Sequence, residues 1–87
     1  MEYLVYLSLE LNKYCLSADS SLDRKTGKPI LEDAFLSSIS CVRVLVADMR
    51  KYGELNPGLK HSVKSSIDAA VMQLPSQYAA FVDGKQS

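Results

Sequence analysis

The chain has 87 residues, of which 47% are apolar, and its ten Lys and Arg balance ten Asp and Glu for a formal net charge of zero. That length suits one domain with a modest core, and that composition excludes a disordered chain. Neutrality argues against a protein that tracks nucleic-acid phosphates, and it weakens the repulsion between copies, which favours a partner or self-association.

The first element runs from Glu2 to Ala18 and is dense in Leu and Tyr. At helical spacing Leu4, Leu7, Leu11, Tyr14, Cys15 and Ala18 line one face. A strand would alternate cleanly only from Leu7 to Asn12, and Leu and Glu favour a helix, so a helix is expected. Residues 19–28 then carry Asp, Ser, Lys and Gly27, the composition of a surface loop. Pro29 fits the first position of a second helix, with Glu32 and Asp33 in its first turn, where the helix dipole favours anions.

That second helix is expected from Pro29 to Tyr52, with Leu31, Phe35, Ile39, Val42, Leu45 or Val46, Met49 and Tyr52 at steps of three and four. Ile30, Ala34, Leu36, Cys41 and Val44 lie outside the stripe, so the helix is apolar over most of its circumference and reads as the central one. Arg50 and Lys51 would fall in its last turn, and Gly53 would end it. Asn56-Pro57 reads as a cap followed by proline, opening a third helix. This helix turns Leu59, Val63, Ile67, Ala70, Val71 and Leu74 inward and Lys60, His61, Lys64, Ser65 and Asp68 outward. Pro75 ends or kinks it, and Ser76 can cap a short helix bearing Tyr78, Phe81 and Val82, stopped by Gly84. The expected fold is all-α: one domain over residues 1–87, a small bundle of three main helices plus a short C-terminal helix, with a frayed tail at 85–87.

Chemistry is sparse. Cys15 and Cys41 are too few for a secreted disulfide scaffold, so reduced structural thiols in a cytoplasmic setting are expected. Met1-Glu2-Tyr3 lacks the basic region of a signal peptide, and polar residues from Ser8 to Lys13 interrupt any membrane span. His61, the one histidine, falls on a polar helix face; Cys15, Cys41 and His61 lack the close pairing of a zinc site. Glu32 and Asp33 are adjacent, and neighbours on a helix point apart. The loop Arg24-Lys25-Thr26-Gly27-Lys28-Pro29 fails as a Walker motif twice, with Leu22 in place of the first Gly and Pro29 in place of Ser or Thr. It retains three cations beside a helix start, which suit a weak anion site or a solvated loop. No enzyme, cofactor or metal is expected.

Two binding readings are left. The off-stripe residues Tyr3, Val5, Tyr6 and Leu9 supply apolar and tyrosine surface of the kind that protein interfaces use, unless the short last helix covers it. They point to an inhibitor or adaptor that binds another protein, with a second copy of the chain as one candidate. The other reading is a small DNA-binding regulator, because Arg50, Lys51, Lys60, His61 and Lys64 cluster around the corner between helices two and three. Against it stand the zero net charge and a candidate reading helix without Arg, Asn or Gln toward its start. A membrane surface is not expected to be a partner, since the polar faces are not rich in Lys or Arg.

Overall fold

The computed structural model describes residues 2–82, apart from the side chain of Phe81. It is all-helical: α1 (Glu2–Ser20), α2 (Glu32–Leu55), a 3-10 turn (Pro57–Leu59), α3 (Lys60–Val71) and α4 (Ser76–Val82). Among the described residues there is no strand beyond one isolated bridge. The expectations for the Phe81 side chain, Gly84 and the tail at 85–87 lie outside these residues.

The first segment is a helix throughout, and Leu4, Leu7, Leu11, Cys15 and Ala18 are its buried positions. Their spacing of three and four is what a helix needs to seat one stripe against a core. Central α2 buries Phe35, Ile39, Val42, Val46 and Met49, and packs against α1, α3 and α4. Helix α3 adds Val63, Ile67 and Ala70, so α1, α2 and α3 close one shared core. A hydrogen bond between the Ser17 and Ser38 hydroxyls, 3.1 Å apart, joins α1 to α2 where small side chains let them approach.

Several local expectations are corrected. Pro29 does not open α2; it forms an antiparallel bridge with Leu22. The bonds on either side of it, Asp23 N–H to the Lys28 carbonyl and Ile30 N–H to the Ser21 carbonyl, both 2.8 Å, leave proline at a position that needs no donor. Helix α2 therefore starts three residues later, at Glu32, and Leu31 stands outside the stripe at 68% exposure. Glu32 and Asp33 still occupy its first turn.

Gly53 does not end α2, which continues to Leu55, so Arg50 and Lys51 are not in its last turn. This glycine is buried where α2 faces α3, and a Cβ there would meet Val63 Cβ and Cγ2 at 3.4 Å, an ordinary contact distance. Asn56 turns its side chain backward: Nδ2 donates to the Tyr52 carbonyl at 2.9 Å, joining the Asn56 backbone N–H at 3.0 Å. It closes α2 and makes no side-chain cap for the turn that follows, while Pro57 does take the first position of that turn.

The 21–31 loop is tied down from both sides. Leu22 is buried, and the Asp23 carboxylate accepts the Lys25 N–H at 2.7 Å in an Asx turn. Gly27 has φ 71°, the left-handed conformation that favours glycine. From the far end of the chain, the Tyr78 hydroxyl donates to the Gly27 carbonyl at 2.8 Å, and the Tyr78 ring packs on Phe35 with centroids 4.9 Å apart. Thus α4 clamps the loop onto α2.

Candidate functional site

Two surfaces come out of this architecture. The first is the outer face of α1. Because Leu4, Leu7, Leu11, Cys15 and Ala18 hold the inner face against the core, residues half a turn away must look outward. Val5 is 51% exposed, Tyr6 59%, Leu9 64% and Leu16 51%. They run along the helix with Glu2 at one end and Lys13 between Leu9 and Leu16, both charged side chains being exposed. The fourth helix packs on α2 and leaves this row uncovered. Tyr3 is different: its ring meets Tyr52 of α2 edge-on, centroids 5.2 Å apart, so it belongs to the flank between the helices.

Leu16 was not singled out from the sequence. Its signal was present, seven residues after Leu9 and hence on the same face, two turns on. Other exposed large apolar residues, Ile30, Leu31, Leu36, Val44, Leu55 and Met72, are spread over the loop, α2 and the turn after α3.

The second surface is a groove of about 690 Å³ between the end of α2 and the start of α3. Arg50, Lys60, His61 and Lys64 all line it, over an apolar floor that includes Val63 and Ile67. Lys51, also exposed, is not among the lining residues. Glu54 and Asp68 are, and Asp68 accepts from Lys64 Nζ at 2.9 Å. The corner read as basic is therefore of mixed sign.

The remaining chemical groups are occupied or apart. In the loop, Asp23 accepts the N–H groups of Lys25 and Thr26, at 2.7 and 3.4 Å, and Arg24 Nη1 lies 3.6 Å from Asp19 Oδ2. Backbone donors already bonded inside the loop are not free to cradle an anion. Both cysteines are free thiols: Cys15 is fully buried, which pushes its pKa up from 9.0 to about 11, and Cys41 is half-buried. A thiol held protonated by its surroundings is a poor nucleophile. Among the described residues, no three His, Cys, Asp or Glu side chains gather to hold a metal ion, and no helix is long and apolar enough to cross a membrane.

Compared with models of protein families, with curated proteins and with solved structures, the chain matches none.

Proposed function

We propose that this protein works without catalysis, as an inhibitor or adaptor that docks another protein on the outer face of α1. The observation that carries this reading is the exposed row Val5, Tyr6, Leu9 and Leu16, on a helix whose opposite face is fully used by the core. Interfaces concentrate apolar and tyrosine area of this kind, where a tyrosine supplies much contact area for little conformational entropy. The two free thiols suit a reducing, cytoplasmic setting.

Nucleic-acid binding is the second reading, and the groove speaks both for and against it. Arg50, Lys60, His61 and Lys64 converge there, yet Glu54 and Asp68 share the space and would repel a phosphate backbone. The two readings separate in one capture experiment. The wild type, a Tyr6→Ala/Leu9→Ala variant and a Lys60→Glu/Lys64→Glu variant are used as bait, with and without nuclease. Loss of a protein partner only from the α1 variant supports docking on α1. A bound set lost on nuclease treatment, and from the charge-reversed variant, would transfer the function to the groove.

A further inference from the structure

The outer face of α1 has an internal complementarity, and on the protein-docking reading above it points to one occupant. Glu2 stands at the start of the exposed row and Lys13 about three turns further on, with Tyr6 and Leu9 between them. If two such helices lie antiparallel about a two-fold axis placed between Tyr6 and Leu9, each Glu2 falls opposite the Lys13 of the other copy. Each Tyr6 then falls opposite the other copy's Leu9. We infer that the partner of this face is a second copy of the same chain, paired α1 to α1, antiparallel, with two Glu2–Lys13 ion pairs closing the ends of a Tyr6–Leu9 centre.

The arrangement obeys the rule for a two-fold interface, in which one patch must complement itself. A parallel pairing in the same register would put Glu2 against Glu2 and Lys13 against Lys13, and like charges would disfavour it. Lys13 also has a neighbour on its own helix, its ammonium lying 5.3 Å from the centroid of the Tyr14 ring. An ammonium has three donors, so it can rest over that ring and still meet a carboxylate. Zero net charge removes the bulk repulsion that would otherwise keep copies apart. A contact of three helical turns is smaller than the roughly 800 Å² per partner of a standard interface, so the dimer is a weak one.

The test is sedimentation equilibrium of the untagged 87-residue chain up to about millimolar concentration, with helix content checked by circular dichroism for every variant. The wild type dimerises, and Leu9→Glu is a folded monomer. Glu2→Lys and Lys13→Glu each weaken the dimer roughly tenfold, because each reverses two ion pairs, and combining them restores it. A dimer indifferent to Leu9→Glu, or a double charge reversal without rescue, overturns the pairing. A wild type that stays monomeric also overturns it. If that monomer still binds a different protein through Leu9, docking on α1 stands and only the identity of the occupant is lost.

Discussion

Leu9 and Leu11 are two residues apart on the same helix and do opposite work. Leu11 is completely buried, while Leu9 is 64% exposed. The difference lies in the helical repeat, which carries one side chain to the core and the other to the far side. Helix α1 thus has an inner face that makes the fold and an outer face that the fold does not need. An apolar residue on the first is explained by packing; a row of them on the second is the surface that the proposed docking would use.

The contrast is sharpest in stability. Leu11→Ala removes a side chain with no exposed area and is expected to cost about 2–5 kcal/mol, whereas Leu9→Ala should change stability by no more than about 0.5 kcal/mol. Urea unfolding of both variants reads this directly, and equal losses would erase the distinction between the faces. For a domain of this size the larger cost is a substantial part of the whole margin.

The inner face also makes a prediction about pH, through Cys15. Its pKa is raised to about 11 in the fold from 9.0, so the unfolded chain loses the proton first as pH rises. The contribution of the neutral thiol is therefore intact below about pH 9 and is lost as pH climbs toward 11, by up to roughly 2–3 kcal/mol. Other groups titrate in that range, so the comparison is with Cys15→Ala, whose stability should fall less steeply than the wild type's between about pH 8.5 and 10.5. Parallel slopes would remove the thiol from the account.

A loss smaller than that of Leu11→Ala is expected away from α1, at the clamp between α4 and the 21–31 loop. Tyr78→Phe keeps the ring against Phe35 and deletes the hydrogen bond to the Gly27 carbonyl. A loss of about 0.5–1.5 kcal/mol is expected, with faster amide exchange from Ser21 to Leu31 and unchanged exchange in the middle of α1. Faster exchange throughout α1 would mean that the clamp supports the whole bundle.

Much of this was legible in the sequence because it is local and periodic. The buried stripe of α1 follows from steps of three and four, and so does most of the stripe of α2, up to Tyr52. The convergence of Arg50, Lys60, His61 and Lys64 follows from the short turn between their helices. What escaped is settled by partners distant in sequence or by side-chain direction. Pro29 is claimed by Leu22, and Gly53 lies buried against Val63 across the helix pair while α2 runs on past it. Asn56 could serve either neighbouring helix, and only the direction of its amide decides. Glu54 and Asp68 lie on the exposed sides of their helices like the cations, so their entry into the groove appears only once α2 and α3 are packed.

The central claim is that the outer face of α1 touches a protein and α3's exposed side does not. A photo-crosslinking amino acid introduced in place of Leu9, and separately in place of the exposed Ser65 on α3, tests it inside the cell that makes the protein. The account predicts a discrete protein adduct from position 9, which survives nuclease, and none from position 65. Adducts from position 65 alone would contradict it and move the working surface to the other side of the bundle.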